Sequence, residues 1–322
     1  MDSIKVINRN NEIVDLDFNR IKNRINKLID MEPKLRISSD IVAIKTISYL
    51  SELINTSDID NISANIAANM ITHHIDYDYL ASRIMISNLH KNTKDCYYET
   101  VKTINENMDN ILMDKLIKFA EVNIDFIKET IDYKKDYTFK YFGILVLIKS
   151  YLLKKDDNVF ERPQHMYMRV AIGLHLDQID TDGSTSEDVL EDIKKMYNLI
   201  SEGYYTHATP TLFNSGTNLS ALSSCFLLEA EDSVDGIYNT LRKCAFISKF
   251  SGGIGVHVSQ IRAKGSKIRT TGGVSEGLVK MLKVYDTMTN HMSHGGGKRK
   301  GSIAIYFELW HADVMELLDC IL

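Results

Sequence analysis

The sequence has few cysteines, no long apolar run and no leader-like start. Its 322 residues contain four cysteines (Cys96, Cys225, Cys244 and Cys320), and none of them form a Cys-x-x-Cys pair. A disulfide scaffold or a zinc knuckle is therefore not expected, and a reducing, cytoplasmic setting fits best. No apolar run reaches the roughly 18 residues of a membrane-span candidate, and residues 1–4 lack the build of a signal peptide. We expect a soluble protein without a membrane partner.

An excess of one charge and a metal-ligand spacing are also missing. The formal net charge of -5 gives no electrostatic reason to expect nucleic acid or an anionic membrane surface. His291, His294 and His311 follow no HExxH-like spacing, so we expect no metal in this chain. A length of 322 residues with 44% hydrophobic residues is enough for two or three domains, each with its own core.

The first 95 residues have the pattern of a compact α+β module. Two short apolar segments flank residues 8–11, whose asparagines suit a turn, and this predicts a hairpin. Ile21, Ile25 and Leu28 then recur at helical spacing, and another helix is predicted over about 77–89. With the two helices described next, the module has two strands and four helices.

Capping residues predict where the second and third helices begin. The second opens near residues 38–40, whose side chains suit an N-cap. The apolar residues expected to be buried in it are Ile41, Ile44 and Ile47. The third opens at Ser57, with Asp60 three residues later as a capping-box partner.

The sequence pattern of the remaining residues changes once, from mainly helical to alternating strands and helices. Residues 96–205 are mainly helical by pattern, with Pro163 where a first helical turn tolerates it. After Thr206, alternating apolar residues at 254–258 and 303–307 predict strands on either side of a helix that begins near 278. Strand, helix and strand in this order indicate a parallel α/β architecture, either open or closed into a barrel.

Three stretches carry residues suited to chemistry. Residues 206–214 and the nearby Cys225 combine hydroxyls with a thiol that suits redox or proton-transfer chemistry, although a lone cysteine is often a small buried hydrophobe. Residues 249–255 lack the Rossmann spacing and the Walker lysine, so their glycines favour a tight entry into a strand. Residues 294–301 are glycine-rich and basic, and their composition leaves an anion cradle and a solvated loop equally open.

Read in order, these segments resemble the large subunit of aerobic, class I ribonucleoside-diphosphate reductase. The motifs that carry the resemblance are Glu-Arg-Pro-Gln-His-Met at 161–166, Thr-His-Ala-Thr-Pro-Thr-Leu-Phe-Asn at 206–214, Ser-Ser-Cys-Phe-Leu-Leu at 223–228, Ser-Gly-Gly-Ile-Gly at 251–255 and Trp310-His311. Class II and anaerobic reductases share the barrel, but residues 161–175 look more like the aerobic class. The resemblance implies an α+β ATP-cone over 1–95, a helical domain over 96–205 and the first part of a ten-stranded α/β barrel over 206–322.

The resemblance also implies roles for individual residues around the substrate. Cys225 corresponds to one of the redox-active pair that reduces the substrate ribose, and a thiol can protonate the departing 2′-hydroxyl and supply electrons by forming a disulfide. Thr209 and Ser224 match residues that touch substrate, and Gly253 lies near it. Arg299, on a loop that relays effector identity, would face the substrate.

Two effector sites follow from the same resemblance. The residues that match the deoxynucleoside triphosphate (dNTP) specificity site are Asp232, Ser233, Val234, Lys249, Arg262, Arg269 and Thr270. The residues near the family's ATP- or dATP-contacting positions are Arg9, Glu12, Asp17, Arg20, Thr56 and Asp60. Residues 8–11 read Asn-Arg-Asn-Asn where the family commonly has Lys-Arg-Asp-Gly, which removes one phosphate-binding cation and leaves a weakened and a lost ATP response both open. His294, Gly297 and Lys300 stand where relatives often carry Gln, Asn and Pro, which leaves the specificity rules open.

The implied partners are a small radical-generating subunit, a second large subunit, a ribonucleoside diphosphate substrate and a thioredoxin- or glutaredoxin-type dithiol. In the family, the thiyl-radical cysteine, the general base and the second redox cysteine lie beyond the point that corresponds to Leu322. We therefore expect these 322 residues alone to be inactive. A fragment, a split gene product and an interrupted coding sequence remain open, as does a self-splicing insert starting at Cys320. The alternative function is a nucleotide-binding regulatory protein or one half of a split enzyme.

Overall fold

The computed structural model describes residues 5–50, 53–219, 221–250, 252–295 and 302–320. The chain divides into two compact units. The first comprises Met1–Thr206 with Ser215–Leu219, and the second comprises His207–Asn214 with Ser220–Leu322.

A small three-stranded sheet begins the first unit. Strands β1 (Lys5–Ile7) and β2 (Ile13–Asp15) pair antiparallel, as the predicted hairpin requires. Asn11 takes a left-handed φ of 63° in the connecting turn, a conformation that asparagine tolerates better than most residues. Strand β3 (Ile54–Asn55) pairs parallel with β1 on its other side, and this third strand was not predicted.

Four helices pack with this sheet around one apolar core. They are α1 (Phe18–Ile29), α2 (Ser39–Ser48), α3 (Thr56–Asn69) and α4 (Asp76–Asn92). The periodic residues Ile21, Ile25 and Leu28 of α1 are all buried, so the predicted amphipathic helix is confirmed. Helix α4 extends the predicted 77–89 segment by one residue before it and three after it.

Helix α2 begins where predicted but buries a different face. The Ser38 hydroxyl accepts a hydrogen bond from the backbone N–H two residues later (3.2 Å), as an N-cap does. However, Ile41 is 46% exposed and Ile44 is 61% exposed, and Ile47 is only partly buried, so the predicted buried face was wrong. The buried residues of this helix are Ser39, Val42, Ala43 and Thr46. The helix therefore packs through smaller side chains and leaves two isoleucines outside the core.

The capping box predicted for the third helix is also wrong. Helix α3 begins at Thr56, which puts Asp60 beyond the first turn and out of reach of the N-cap N–H. The N-cap residue, Asn55, makes no side-chain capping bond. The Asp60 carboxylate is instead buried among cations and belongs to the candidate site described below.

The remainder of the first unit is mainly helical, as predicted. Its α-helices are α5 (Tyr97–Asn107), α6 (Asp114–Val122), α7 (Ile124–Thr130), α8 (Tyr141–Val146), α9 (Pro163–Gly173) and α10 (Glu187–Ser201). Between them lie 3-10 helices at Tyr133–Thr138 and Leu176–Gln178, a π-helical turn at Leu147–Tyr151, and a hairpin of β4 (Lys154–Lys155) and β5 (Asn158–Val159). Pro163 occupies the first turn of α9, and the helix is buried over ten consecutive residues.

A buried ion pair fixes the start of α9. Arg169 donates from Nε to Glu161 Oε1 (2.6 Å) and from Nη2 to Oε2 (3.2 Å). Its Nη1 donates to the carbonyl oxygen of Ser215 (2.7 Å). Because Glu161 Oε2 also accepts from the backbone N–H of Leu153 (2.9 Å), this pair joins three separate chain segments.

Arg162 holds the carboxyl end of α4. Its Nη2 donates to the carbonyl oxygens of His90 (3.1 Å) and Thr93 (3.2 Å), and its Nε donates to Thr93 Oγ1 (3.0 Å). The guanidinium also lies 4.8 Å from the centre of the Tyr133 ring. A cation at this position satisfies helix-end carbonyls and complements the negative end of the helix dipole.

The second unit is built on three parallel strands. Its elements in chain order are α11 (Thr209–Asn214), β6 (Cys225–Glu229), α12 (Val234–Lys249), β7 (Gly253–His257), α13 (Leu278–Gly295), β8 (Ile303–Tyr306) and α14 (Val314–Asp319). The sheet order is β6-β7-β8, and helices connect successive strands. The predicted order, an α+β region and a helical region followed by a parallel α/β region, is confirmed in these described residues.

Candidate functional site

The thiol of Cys225 lies at the amino end of the parallel sheet. Cys225 is the first residue of β6 and is exposed, which argues against a buried-hydrophobe role for it. Its partner in the register is Gly253 on β7, whose N–H donates to the carbonyl oxygen of Ser224 (2.8 Å). The Ser224 hydroxyl lies 3.6 Å from the Cys225 sulfur. The structure thus brings three of the predicted residues together at one end of two neighbouring strands.

A contrasting cysteine lies inside the same unit. Cys244, on α12, is fully buried, and desolvation raises the pKa of its thiol to about 11. A thiol held in its protonated form is a poor nucleophile and reductant. The small-hydrophobe interpretation therefore fits Cys244, whereas the exposed Cys225 keeps the redox interpretation that the resemblance implies.

Helix α11 is tied to the entrance of the strand that carries Cys225. Thr211 Oγ1 donates to the carbonyl oxygen of Leu222 (3.1 Å), and Asn214 Nδ2 donates to that of Ala221 (2.7 Å). Thr209 is the first residue of this short helix. The tether fixes the helix that carries Thr209 to the segment that leads into β6.

Strand β7 offers bare backbone on the face that it shares with Cys225. Gly253 has open space at the position of a Cβ atom apart from the Ser224 carbonyl oxygen at 3.4 Å. Two residues along, a Cβ on Gly255 would lie 2.7 Å from Tyr306 Cε2 and 2.9 Å from Leu227 Cδ2. Glycine at 253 lets a ligand approach the backbone, whereas glycine at 255 lets two large neighbours close over the strand. Ser251, which opens this motif, lies outside the described residues.

A cleft of about 620 Å³ lies at the amino end of α12. Five of the residues predicted for the specificity site line it: Asp232, Ser233, Val234, Arg262 and Thr270. Arg262 Nε lies 3.0 and 2.8 Å from the two carboxylate oxygens of Asp232. The Ser233 hydroxyl caps α12 by accepting from the N–H of Gly236 (2.9 Å). The positive end of a helix dipole and a half-exposed guanidinium favour an anionic ligand here.

Much of the remaining wall is apolar and suits a nucleobase, and Ser275, Glu276 and Lys280 add polar groups to it. The apolar residues include Ile237, Tyr238, Ile261, Ile268 and Met281. Tyr238 is 57% exposed, so its ring is available for stacking. A cleft with cationic and apolar walls matches a ligand that carries both phosphate and base.

Two residues predicted for this site do not line the cleft. Lys249 is the last residue of α12, and 1.5 Å of rise per residue puts it about 22 Å from the start of the helix. Its ammonium group lies 5.4 Å from the Phe250 ring centre. Arg269 lies on the same loop as Thr270 but is not part of the cleft wall. Both assignments stay predictions.

The first unit contains a second candidate site, a buried carboxylate among three cations. Asp60 is 2% exposed in its side chain, and Oδ2 lies 3.0 Å from Arg9 Nη2 and 3.5 Å from Lys91 Nζ. Arg24 contacts the other carboxylate oxygen. Three positive charges against one negative charge leave a local excess that a polyphosphate would neutralise.

Burial and mutual repulsion perturb these cations. Desolvation, followed by the charge of Arg9, lowers the pKa of Arg24 to about 10. Desolvation, followed by the charges of Arg24 and Arg9, lowers the pKa of Lys91 to about 8. Burial and the neighbouring cations thus both disfavour the fully protonated cluster, a cost that a bound anion would offset.

A polar cleft of about 800 Å³ adjoins the cluster. Arg9, Lys91 and Lys94 supply positive charge to its wall, and Asn88 and Asn92 supply amides. Arg9 donates to Asn88 Oδ1 (2.6 Å) and to Asn92 Oδ1 (3.1 Å), which holds the guanidinium at the edge of the cleft. Phosphate oxygens and ring nitrogens both find partners among such groups.

The other residues predicted for ATP have local roles and do not line this cleft. Glu12 accepts from Asn8 Nδ2 (2.8 Å). Asp17 caps α1 and lies 3.8 Å from the exposed Arg20 guanidinium, and Thr56 is the first residue of α3. Sequence reasoning missed two members of the cluster, Arg24 and Lys91. Arg24 was detectable in principle, because it follows Arg20 by one helical turn on α1.

Two further observations concern what the described residues lack. Within the described ranges, no group of three or more His, Cys, Asp and Glu side chains is arranged to hold a metal ion. None of the described helices is both long enough and apolar enough to cross a bilayer. The predicted substrate residue Arg299 and most of the basic loop at 294–301 lie outside the described residues.

Comparison with known families gives three matches in chain order. The ATP cone domain matches residues 4–92, the all-alpha domain of ribonucleotide reductase matches 137–220, and the barrel domain of ribonucleotide reductase matches 223–321.

Full-length relatives agree with these family matches. Proteins named ribonucleoside-diphosphate reductase large subunit are 44% identical in Caenorhabditis elegans, 44% in Dictyostelium discoideum and 42% in vaccinia virus. Each alignment covers 98% of this chain but only 40%, 36% and 40% of the relative, respectively. The chain therefore spans about two fifths of the length of the relatives it matches.

Proposed function

We propose, since this chain belongs to the family of ribonucleotide reductase large subunits, that it is the nucleotide-binding part of an enzyme that reduces ribonucleoside diphosphates to deoxyribonucleoside diphosphates for DNA precursor synthesis. The observation that carries the proposal is the exposed Cys225 thiol beside the bare backbone of Gly253. A thiol at that position can reach a ribose that lies against β7.

The proposed reaction balances with Cys225 as one of two thiols. The ribose 2′ C–O bond breaks, a thiol proton accompanies the hydroxyl as water, and a hydrogen takes its place. The two thiols become a disulfide and so supply two electrons. An external dithiol of the thioredoxin or glutaredoxin type then regenerates them by thiol–disulfide exchange. Thr209, Ser224 and Arg299 are proposed to hold the substrate.

The cleft at the start of α12 is proposed to bind the deoxynucleoside triphosphate that sets substrate choice. Support comes from the Asp232–Arg262 pair, the capped helix end and the apolar wall. Arg262 would meet phosphate, and Asp232 would accept from the sugar hydroxyl. The proposed set is completed by Lys249, Arg269 and Thr270. Thr270 already lines the cleft. Lys249 and Arg269 would contribute if a movement of their segments or a second subunit brought them to the ligand.

The cluster around Asp60 is proposed to bind ATP or dATP as an activity effector. Arg9, Arg24 and Lys91 carry the positive charge that a triphosphate needs. Glu12, Asp17, Arg20 and Thr56 remain proposed contributors on the strength of the resemblance alone.

The proposed partners are a second large subunit and a radical-generating small subunit. Support for self-association is an apolar surface on α12 that includes Val234, Tyr238 and Phe246, which are 77%, 57% and 55% exposed. Such a surface, next to the effector cleft, suits a contact that effector binding would strengthen.

The experiment that tests this function uses the 322-residue polypeptide together with a small subunit and a dithiol. We expect dNTP binding without deoxynucleotide formation, because the family's hydrogen-abstracting thiol and general base lie in later segments. Adding the remaining barrel segments of a relative, in the same chain or as a second polypeptide, should restore turnover. If the completed enzyme binds effectors but stays inactive, the alternative of a nucleotide-binding regulatory protein is favoured. Deoxynucleotide formation by the 322 residues alone would contradict the proposal that later segments supply the hydrogen-abstracting thiol and the general base.

A further inference from the structure

One buried carboxylate holds both ends of the loop that forms a wall of the effector cleft. Asp313 lies just before α14 and is 6% exposed. Its two oxygens accept from the backbone N–H of Lys264, at 3.0 and 3.1 Å. Oδ2 also accepts from the N–H of Leu278 at 2.9 Å. Because Lys264 and Leu278 bracket the segment 264–278, Asp313 closes this segment into a loop with a fixed base.

A neighbouring histidine reinforces the same attachment. Asp313 N–H donates to His311 Nδ1 (3.1 Å), so Nδ1 is the acceptor nitrogen and Nε2 carries the hydrogen. His311 Nε2 then donates to the carbonyl oxygen of Ile261 (2.7 Å). His311 is 4% exposed, so this bond is shielded from water. His311 therefore binds the chain just before the loop, at Ile261, and Asp313 binds both ends of the loop, at Lys264 and Leu278.

The packing at Gly277 shows how closely the carboxylate fits the loop base. Gly277 has a φ of +85°, and a Cβ atom there would lie 2.9 Å from Asp313 Oδ2 and 2.8 Å from Lys264 Cβ. Any side chain at 277 would both strain the backbone and push the carboxylate away. Glycine at this position is thus part of the same attachment.

The loop held in this way carries a large part of the cleft wall. Ile268, Thr270, Ser275 and Gly277 all line the cleft. Within the loop, Ile268 N–H donates to the Gly273 carbonyl (2.8 Å), which gives the loop a folded tip. Leu278 is also the first residue of α13, so the same carboxylate stabilises the amino end of that helix. The position of Thr270 relative to Arg262 therefore depends on Asp313.

We propose that Asp313 is a positioning residue for effector binding, which fixes the loop 264–278 so that its wall of the cleft is formed before the ligand arrives. The proposal rests on the proposed function of the cleft as a dNTP site. A preformed loop spares the ligand the entropy cost of ordering it. Asp313 itself does not line the cleft, so its effect must come through the loop.

The test compares two variants of Asp313 with a matched control on α14, the helix that Asp313 precedes. Asp313→Ala removes all three hydrogen bonds, and Asp313→Asn keeps one oxygen acceptor. Glu316→Gln is the control, because the Glu316 carboxylate contacts the exposed Lys264 side chain (3.2 Å) rather than the backbone at the loop base. We expect the dTTP dissociation constant, measured by calorimetry, to rise about tenfold or more for Asp313→Ala and less for Asp313→Asn. Glu316→Gln should bind as the parent does.

Hydrogen exchange without ligand gives an independent readout. The amides of Leu278 and Ile268 should lose protection in Asp313→Ala while amides of β7 keep theirs. If Asp313→Ala does not fold, the graded loss in Asp313→Asn decides the question. A double-mutant cycle with Thr270→Val should be non-additive, because a displaced loop no longer presents Thr270 to the ligand.

The outcomes separate this proposal from the proposed function of the cleft. Parent-like dTTP affinity in Asp313→Ala, or full additivity with Thr270→Val, would overturn the positioning role and leave the effector site intact. If the parent protein binds no dTTP, the proposal that the cleft is an effector site is wrong. The hydrogen-exchange data then decide whether Asp313 fixes the loop 264–278. Unchanged protection of the Leu278 and Ile268 amides in Asp313→Ala would show that it does not.

Discussion

The carboxylate of Glu161 and the guanidinium of Arg169 form a two-point ion pair in the core, with side chains only 2% and 1% exposed. Removing one partner of such a pair leaves the other charge buried without compensation. We expect Glu161→Ala to lower the free energy of unfolding of the first unit by about 3–5 kcal/mol, as measured by urea denaturation. Glu202→Ala, which breaks the more exposed pair with Lys135 (3.0 Å), should cost less than about 1 kcal/mol. Equal losses in the two variants would contradict this account.

Arg262→Ala should weaken dNTP binding at the cleft by roughly ten- to a hundred-fold. Charge-assisted contacts from arginine to phosphate contribute about 1.5–3 kcal/mol each, and about 1.4 kcal/mol corresponds to one decade of affinity. Calorimetry measures the affinity, and Lys195→Ala serves as a control that removes the same charge from α10. Sedimentation at several dNTP concentrations should show more dimer for the parent as dNTP rises. A dNTP affinity that Arg262→Ala leaves unchanged, or a dimer fraction indifferent to dNTP, would tell against the assignment.

Nucleotide binding at the Asp60 cluster should depend on pH through Lys91. Its pKa of about 8 lies below the ordinary value of 10.5, so the free protein loses this charge as the pH rises from 7 to 9. A bound triphosphate favours the ammonium form, so binding near pH 8.5 should take up a proton and affinity should fall over this range. Calorimetry in buffers of different ionisation enthalpy measures the proton uptake. Lys91→Arg keeps its charge and should flatten the profile, and an identical profile in both proteins would refute the role of Lys91.

The same lowered pKa predicts the direction of a stability change. Between pH 8 and 10.5 the unfolded chain binds more protons at Lys91 than the folded chain does. The contribution of Lys91 to the free energy of unfolding should therefore become more favourable as the pH rises through this window, as seen by comparison with Lys91→Arg. A contribution that declines over the same window would contradict the assigned shift.

Cys225→Ser should abolish multiple-turnover reduction in the completed enzyme while leaving dNTP affinity unchanged. A hydroxyl cannot form the disulfide that supplies two electrons, and Cys225 does not line the effector cleft. Deoxynucleotide formation with an excess of external dithiol is the measurement. Cys244→Ser is the matched control, since that thiol is buried on α12 and should affect stability more than chemistry. Parent-like turnover by Cys225→Ser would eliminate the proposed redox role.

Local patterns were enough to predict most of the secondary structure, because periodicity and caps act over a few residues. The hairpin, the N-cap at Ser38 and the alternation around β7 are of this kind. The pairing of β3 with β1 was missed because two residues carry no periodicity and their partner is distant in the chain. The exposed Ile41 and Ile44 show that hydrophobicity alone does not decide which side of α2 faces the core.

The candidate sites were predictable to different degrees for a similar reason. The resemblance assigned Asp232 and Arg262 to one site, and Cys225 and Gly253 to another, but it did not predict the Asp232–Arg262 ion pair or the register of Cys225 with Gly253. The Asp60 cluster was recognised only in part, because Arg24 and Lys91 reach the carboxylate from separate helices. The role of Asp313 depends on backbone N–H groups, which side-chain patterns do not reveal.

Arg162 has a consequence for building chimaeras from this chain. The ATP cone match ends at residue 92, and that boundary is the obvious place to cut when the domain is transplanted onto another scaffold. However, the carboxyl end of α4 is held by a guanidinium seventy residues further on, through the carbonyl oxygen of His90. A graft cut at residue 92 would leave that helix end without its cation and fray the segment that carries Lys91. A transferable cassette should therefore extend past α9 and keep its own arginine.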